Sequence, residues 1–311
     1  MEKKDLLLVL LACVFCFIFI VLPLLFLLSA YVPQPPCVGL IRVNGEIVTE
    51  APAGLFSAGA ASSESFSQMI KEAGNRDEIK AIVVEINSGG GSVVASNEMY
   101  LAAKGLAKPK VMYFREVGAS GAYYLAMAGD VVMSHPDALT GSIGVRTTFS
   151  DMSGLFQKLG INQTTVKSGE LKDIGDPSRP PTEKEIALMQ AIVNETFEEF
   201  RNIVLSARAG KPRFTLEKFE AVLDARVLSG RQAYASGLVD ELGSRGDAIK
   251  KAAELGGITD AEPRVCELNE KKGFFEALMS SSSQMLSSVL ENALKNVRLG
   301  GAGSSGSMNL Q

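Results

Sequence analysis

The first pattern of hydrophobic and polar positions along this chain is an unbroken apolar run. From Leu6 to Leu28 no residue is charged, and almost all are Leu, Val, Ile or Phe. As a helix, this run is long enough to cross a hydrocarbon layer of roughly 30 Å. It therefore predicts a single N-terminal transmembrane helix, with a kink at Pro23.

The middle of the chain alternates between short apolar runs and helical patterns. The run Ile79–Ile86 is mostly apolar, as expected for a strand that is buried on both faces of a sheet. The patterns predict strands at Val38–Val43, Ile79–Ile86, Lys110–Phe114 and Val131–Ser134, and helices at Val93–Leu106 and Ser120–Ala128. Such alternation predicts an α/β fold with a parallel sheet.

The last part of the chain is predicted to be mainly helical. The capping box Thr182–Glu185 follows two prolines and starts a helix that we expect to run to Ala209. Before it, Gln163–Val166 is predicted as a strand, and a later helix is predicted to end at Leu255. An amphipathic helical pattern covers Phe274–Leu299. Its apolar face can pack on its own domain, on a membrane or on a neighbouring subunit.

Charges beside the apolar run predict its orientation. Lys3 and Lys4 precede the run, whereas Arg42 is the one basic residue in the first stretch after it. Because positively charged flanks stay in the cytoplasm, we expect a single-pass protein of the cell membrane with a cytoplasmic N-terminus and an extracytoplasmic remainder. A cleaved signal peptide is the alternative, although its apolar core normally spans only about 7–15 residues.

Composition and charge exclude some classes of function. The net charge is −4, and no cluster of Lys or Arg is interleaved with aromatic residues, so we exclude nucleic acid as a partner. Four cysteines are too few and too scattered for a disulfide framework. Cys13 and Cys16 fall inside the apolar run, and the sequence assigns no role to Cys37 and Cys266.

A serine between small residues is the candidate for chemistry. Ser120 lies in the segment Gly118–Ala122, at the predicted junction of a strand and a helix. At such a junction a hydroxyl is exposed, and the next backbone N–H points toward a substrate carbonyl. The turn Gly89–Gly91 lies at a second strand-to-helix junction and offers another N–H. Two such turns favour an acyl-transfer site over the alternative, which is tight helix packing.

Few bases are available to this serine, because the chain contains one histidine. His135 precedes a proline just past a predicted strand, a position typical of a surface or cap residue. Lys172 lies in a Gly-containing loop and is the better candidate. To accept a proton near neutral pH it must be shielded from water, since burial disfavours the ammonium form. A solvated loop lysine is the alternative interpretation.

Five segments between Val38 and Leu255 together carry a family resemblance. They are INSGGGSVVAS (Ile86–Ser96), GASGAYYLAMAGD (Gly118–Asp130), ALTGSIGV (Ala138–Val145), SGELKDIGDPSR (Ser168–Arg179) and RVLSGRQAYASGLVDELGSRGDAI (Arg226–Ile249). In this order they resemble the short, single-domain form of the signal peptide peptidase A family of membrane-anchored serine proteases. One departure is Gly89, where the family commonly has proline, so we expect a less rigid turn here.

The resemblance implies a role for each matched position. Ser120 matches the nucleophile of the family, Lys172 its general base, and Ser142 a serine that hydrogen-bonds the lysine and orients it. Gly90 and Gly121 match the residues whose N–H groups form the oxyanion hole. The resemblance implies no organic cofactor and no metal.

The resemblance also implies a fold, an assembly and a reaction. The fold is a Clp-protease/crotonase-like spiral of ββα units, and the assembly is a ring-shaped homo-oligomer in which neighbouring subunits complete each site. The reaction is endopeptidase cleavage of hydrophobic peptides, such as cleaved signal peptides, through an acyl-enzyme. Two alternatives stay open, an acyl-CoA enzyme of the crotonase type and a non-catalytic membrane scaffold. The lack of an obvious basic site for CoA phosphates disfavours the first, and the presence of both Ser120 and Lys172 disfavours the second.

These expectations divide the chain into five parts. We expect a cytoplasmic N-terminus and signal anchor at 1–31, a Pro-rich linker at 32–37, the Ser-Lys peptidase domain at 38–257, an extension with the amphipathic helix at 258–299, and a disordered Gly/Ser tail at 300–311.

Overall fold

Parallel strands form the centre of the chain, whose structure is a computed structural model that describes residues 14–22, 34–50 and 59–268. The strands are β1 (Cys37–Asn44), β2 (Glu46–Val48), β3 (Ala60–Ser62), β4 (Ile79–Ser88), β5 (Lys110–Ala119), β6 (Val131–Ser134), β7 (Leu139–Gly141), β8 (Val227–Ser229), β9 (Glu241–Leu242) and β10 (Val265–Leu268). The main sheet has the order β10-β1-β4-β5-β6-β9 with parallel neighbours. β7 pairs with β5 in parallel and with β8 antiparallel, and β2 pairs with β3 in a small second sheet. The predicted α/β fold with a parallel sheet is confirmed.

Helices cover the sheet, and several begin at side-chain caps. They are α1 (Ser63–Asn75), α2 (Val93–Gly105), α3 (Gly121–Ala126), α4 (Ser153–Lys158), α5 (Glu183–Arg208), α6 (Leu216–Glu220), α7 (Gly230–Ala235) and α8 (Arg245–Leu255), preceded by a short π-helical segment, Phe17–Val21. The Ser92 hydroxyl caps α2 by accepting from the Ala95 N–H. Thr182 and Glu185 form the predicted capping box at the start of α5.

The sheet is buried on both faces, because successive side chains of a strand point to opposite sides. On one face Val84 of β4 belongs to the same core as Met99 of α2 and Tyr123 of α3. On the other face Val83 of β4 belongs to a core with Ala252 of α8. The apolar run Ile79–Ile86 is therefore buried on both faces, as predicted. Because β4 and β5 are parallel, the turn after β4 lies at the same end of the sheet as the end of β5.

A disulfide between Cys37 and Cys266 joins the first strand to the last described strand, with Cα atoms 5.9 Å apart. The two cysteines lie on neighbouring strands, since Gly39 of β1 pairs with Cys266 of β10. They are separated by 229 positions, so no local pattern could pair them. β10 lies beyond residue 257, where the predicted domain ends, and the main sheet includes it.

The predicted strand at Gln163–Val166 is wrong. The segment has no regular secondary structure, and the Val166 side chain is 95% exposed. A strand is stable only beside a partner that shares its hydrogen bonds, and none of the described strands lies next to this one. The short strands β2, β3, β7, β8 and β9 are not predicted by the sequence, because two or three residues are too few to show a period.

Several sequence-based predictions lie outside the described residues. Of the apolar run Leu6–Leu28, the structure describes only residues 14–22. Within the described ranges, no helix combines the length and the apolar character needed to span a membrane. The amphipathic segment Phe274–Leu299 and the tail 300–311 are not described.

Candidate active site

Ser120 lies at the sharp turn where β5 ends and α3 begins. Its backbone angles, φ 53° and ψ −124°, are rare for a residue other than glycine. Two backbone hydrogen bonds hold this conformation, from the Ser120 N–H to Gly141 O (2.9 Å) and from the Tyr124 N–H to Ser120 O (3.0 Å). A strained strand-to-helix turn of this kind exposes a serine hydroxyl at the end of a sheet.

Two glycines allow the turn after β4 to touch the turn at Ser120. A Cβ atom on Gly90, whose φ is +95°, would lie 2.6 Å from Gly121 N and 2.9 Å from Ser120 Cβ. A Cβ atom on Gly121 would lie 2.2 Å from Ser96 Oγ. A side chain at either position would therefore push the two turns apart.

The backbone N–H groups of these turns differ in their hydrogen bonds. The Gly90 N–H donates to Ser88 Oγ (3.1 Å). Among the hydrogen bonds of the described residues, none uses the N–H of Gly91 or of Gly121. Gly91 N lies 3.4 Å from the position of a Cβ on Gly121. Gly121 thus offers an unused donor beside the serine. Gly91 offers another, in the predicted turn Gly89–Gly91, whereas the family resemblance points to Gly90.

Ser142 is connected to the backbone that fixes Ser120. It directly follows Gly141, whose carbonyl accepts from the Ser120 N–H, and its own N–H donates to Arg226 O (2.9 Å). Its φ of 49° is again rare for a residue other than glycine. Beside it, Thr140 Oγ1 donates to Gly118 O (2.7 Å), which ties β7 to β5 immediately before the serine turn.

A cavity of about 960 Å³ opens at these turns. Four of the five predicted site residues line it together: Gly90, Ser120, Gly121 and Ser142. The structure therefore brings the serine, a free backbone N–H and a second hydroxyl to one place, which is an arrangement suited to acyl transfer.

The two candidate bases, Lys172 and His135, do not line this cavity. Lys172 is exposed in a turn, where its backbone N–H donates to Gly169 O (3.1 Å). His135 is in the turn after β6, and its Nδ1 accepts from the Asp137 N–H (3.2 Å). Within one subunit, then, Lys172 is not in the dry environment that its predicted role requires.

The loop that carries Lys172 is tied to the start of α5 by Arg179. Arg179 Nε donates to Asp173 Oδ2 (3.1 Å), and its Nη1 donates to Glu185 Oε2 (2.9 Å). Lys167 Nζ also donates to Asp173 Oδ1 (2.6 Å). The Arg179 guanidinium holds the pKa of Asp173 far below its usual range and lowers the pKa of Glu185 to about 2. We call Asp173, Arg179 and Glu185 the loop clamp.

Three polar residues that the sequence analysis missed line the same cavity: Asn97, Tyr124 and Glu199. They come from α2, α3 and α5. Burial raises the pKa of Tyr124 to about 12, so this phenol keeps its proton over the physiological range. No sequence signal links the three, because only the packing of the helices brings them together.

Comparison with known proteins finds a matching family and several relatives named as proteases. Residues 102–259 match the model of the family described as peptidase family S49. A protein named as a protease in Methanocaldococcus jannaschii is 35% identical over 224 residues, which are 71% of this chain and 71% of the relative. One named as a signal peptide peptidase in Enterococcus faecium is 32% identical over 227 residues, 71% of this chain and 64% of the relative. A chloroplastic serine protease of Arabidopsis thaliana is 31% identical over 225 residues, 71% of this chain and 32% of the relative.

Proposed function

The chain belongs to peptidase family S49 and is a serine peptidase, and from this premise we propose that Ser120 is its nucleophile and Lys172 its general base. The observation that carries the proposal is the strained turn that holds Ser120 in the cavity, next to the unused N–H of Gly121. A nucleophile and an oxyanion donor placed side by side are what peptide-bond cleavage by a serine requires.

In the proposed reaction the Ser120 hydroxyl oxygen attacks the carbonyl carbon of the peptide bond, and the neutral amine of Lys172 takes the hydroxyl proton. The carbonyl oxygen becomes an oxyanion, which the Gly121 N–H and a second N–H stabilise. Gly90 supplies that second donor if it releases Ser88, whereas Gly91 has its N–H available already. The lysine then gives its proton to the leaving amine, and water hydrolyses the acyl-enzyme.

We assign the lysine of each site to a neighbouring subunit of a ring-shaped homo-oligomer. No residue from 146 to 182 is buried, although this stretch holds the Lys172 loop. It also carries exposed apolar side chains that a neighbouring subunit would cover: Leu155, Leu159, Ile161 and Val166. Burial in such an interface would shield the lysine from water and favour its neutral form. Ser142, which lines the cavity, would then accept or donate a hydrogen bond to the incoming amine and orient it.

Membrane attachment and hydrophobic substrates complete the proposal. The run Leu6–Leu28 has the length and composition of a membrane anchor. Disulfides such as Cys37–Cys266 persist mainly in oxidising compartments outside the cytoplasm. The Enterococcus faecium relative is named for signal peptides. We therefore place the catalytic domain outside the cytoplasm, where cleaved signal peptides and similar hydrophobic peptides would be its substrates.

Labelling with a fluorophosphonate probe tests the nucleophile and its base. The probe should modify Ser120, as mapped by mass spectrometry, and should not modify the Ser120→Ala variant. Lys172→Ala should lose nearly all labelling, because no other group takes the serine proton. Lys158→Ala is the matched control, since it removes an exposed lysine of α4 outside the cavity. Labelling of Lys172→Ala at the wild-type rate, or modification of a different serine, would refute the assignment.

A further inference from the structure

One wall of the active-site cavity carries a carboxylate held by two neutral groups. Glu199 Oε1 of α5 accepts a hydrogen bond from Asn97 Nδ2 (3.2 Å) and another from Tyr124 Oη (3.3 Å). Asn97 Nδ2 also donates to Tyr124 Oη (2.7 Å). These contacts fix the Glu199 carboxylate against the two helices, α2 and α3, that begin at the catalytic turns.

The hydrogen-bond partners of the Glu199 carboxylate include no cation. In the described part of the chain, Glu199 forms no ion pair with any Lys, Arg or His, and its two hydrogen-bond partners are neutral. The other charged residues that line the cavity are Glu46, Glu98 and Arg146. The cavity therefore has three carboxylates and one guanidinium, and its electrostatic potential favours a cation.

Aromatic rings form the surface next to this carboxylate. The ring centroids of Tyr124 and Phe200 lie 5.2 Å apart, and those of Tyr100 and Tyr124 lie 5.4 Å apart. Tyr124 and Phe200 both line the cavity and are otherwise buried. An apolar surface that ends at an unpaired carboxylate matches a side chain with an aliphatic stem and a positive end.

This wall is close to the reacting serine. Tyr124 lies one helical turn after Ser120, about 6 Å along the helix axis, and its N–H donates to Ser120 O. Asn97 directly follows Ser96, whose hydroxyl packs against Gly121. A substrate residue next to the bond under attack would therefore direct its side chain into this part of the cavity.

We propose that Tyr124, Phe200 and Glu199 form a subsite for a lysine or arginine side chain on the acyl side of the scissile bond; this rests on the proposed function. The stem lies on the two rings, and the ammonium or guanidinium group pairs with the Glu199 carboxylate. The substrates are then apolar peptides that contain a basic residue, as at the boundary between the charged and apolar parts of a signal peptide.

Three fluorogenic peptides that differ only in the residue before the scissile bond test the subsite. That residue is lysine, norleucine, which has the same aliphatic chain without the charge, or glutamate. For the wild-type protein we expect kcat/KM to be up to about tenfold higher with lysine than with norleucine, because the pair is charge-assisted. Raising the salt concentration should reduce this ratio and leave the norleucine rate unchanged.

Two variants show whether Glu199 causes the preference. Glu199→Gln keeps the shape and the hydrogen bonds to Asn97 and Tyr124 but removes the charge, so the lysine-to-norleucine ratio should fall to about one. Glu195→Gln removes the same charge from the same helix outside the cavity, and it should keep the wild-type ratio.

The same peptides are also tested for binding to Ser120→Ala by fluorescence anisotropy. A lysine preference in binding supports the subsite even if none of the peptides is cleaved, and in that case only the proposed function fails. Ser120-dependent cleavage without a lysine preference, or a preference that Glu199→Gln retains in full, overturns the subsite and leaves the proposed function standing.

Discussion

The two halves of the proposed active site are held in place by different kinds of interaction. Around Ser120 the contacts are between backbone segments: β5, β7 and the turn at Gly90 are in direct contact, and hydrogen bonds fix both sides of the serine. Around Lys172 the contacts are between charges, mainly those of the loop clamp, and every residue from 146 to 182 is at least partly exposed.

This difference indicates that the fold of a single chain preorganises only the serine half. Backbone packing of that kind does not depend on pH or on a partner. The lysine half depends on ionised carboxylates and, in our proposal, on burial by a second subunit. Substitutions that disrupt one half, or that place the two halves on different subunits, show how far each half depends on the other.

The largest effect is expected from separating the two halves onto different subunits. Ser120→Ala and Lys172→Ala should each lower kcat/KM by at least about 10³-fold, because the two residues act as one unit. Oligomers assembled from equal amounts of both variants should regain up to about a quarter of the wild-type activity, if each site takes its lysine from one neighbour in a ring. Peptide cleavage after co-expression measures this, with mixing verified by native mass spectrometry.

The matched control for this mixture combines Ser120→Ala with the double variant Ser120→Ala, Lys172→Ala. These mixtures contain no intact nucleophile and should stay inactive. If mixed oligomers of the single variants form but stay inactive at every ratio, both residues of a site come from the same subunit.

The next largest effect is expected from adding one methyl group to the serine half of the site. Gly90→Ala should lower kcat by about 10²-fold, because its Cβ would meet Gly121 N at 2.6 Å and displace the oxyanion donor. The positive φ of Gly90 adds about 1–3 kcal/mol of backbone strain. Gly89→Ala is the control, since a Cβ there has no neighbour within 4 Å. Equal activity of the two variants would contradict the close contact between the turns.

A smaller effect is expected from the loop clamp. Arg179→Ala should lower kcat/KM by about tenfold to a hundredfold, because the Lys172 loop loses its attachment to α5 while Ser120 is untouched. Arg179→Lys keeps the positive charge and should recover part of the lost activity. Recovery should be incomplete, because an ammonium group lacks the planar fork with which arginine bridges two carboxylates. Arg231→Ala removes an exposed arginine that pairs with Asp137 and should leave activity unchanged. A fluorophosphonate labelling rate that Arg179→Ala does not alter would exclude a positioning role.

The smallest expected effect is a loss of hydrogen-exchange protection in the lysine half at low pH. Because the fold lowers the pKa of Asp173 and of Glu185, it stabilises their ionised forms. That stabilisation is complete above the ordinary pKa and is lost as the pH falls through the lowered value, which for Glu185 means from 4.5 to about 2. Hydrogen-exchange protection over 167–186 should decrease in this range before protection in β4 and β5 does. Simultaneous loss in both regions would show that the clamp is not a separate unit.

Features that depend only on residues close together in the sequence could be predicted. The start of α5 at Thr182 follows from a capping box, and the doubly buried β4 follows from an apolar run, since both patterns are local. The strand predicted at Gln163–Val166 is wrong because strand formation needs a partner, which the segment itself cannot reveal.

The candidate site was predictable only where a residue type reveals its chemistry. Ser120 stands out because it lies between small residues at a strand-to-helix junction and because a second such junction carries the turn Gly89–Gly91. Glu199 does not stand out, because a glutamate on a charged helix is usually solvated, and only the fold places it beside Asn97 and Tyr124. The position of Lys172 relative to Ser120 could not be predicted either, since the sequence does not show which chain the Lys172 loop contacts.

The disulfide between Cys37 and Cys266 also determines what happens if the protein cuts itself. The exposed stretch 146–182 is the part of the described chain most open to a protease, and it lies between the two cysteines. A cut there produces two fragments that the disulfide keeps covalently joined, with β1 and β10 still paired in the sheet. A nicked molecule therefore retains its mass in a non-reducing gel and separates into two bands only after reduction, so damage to the lysine loop passes unseen in any assay that follows intact size.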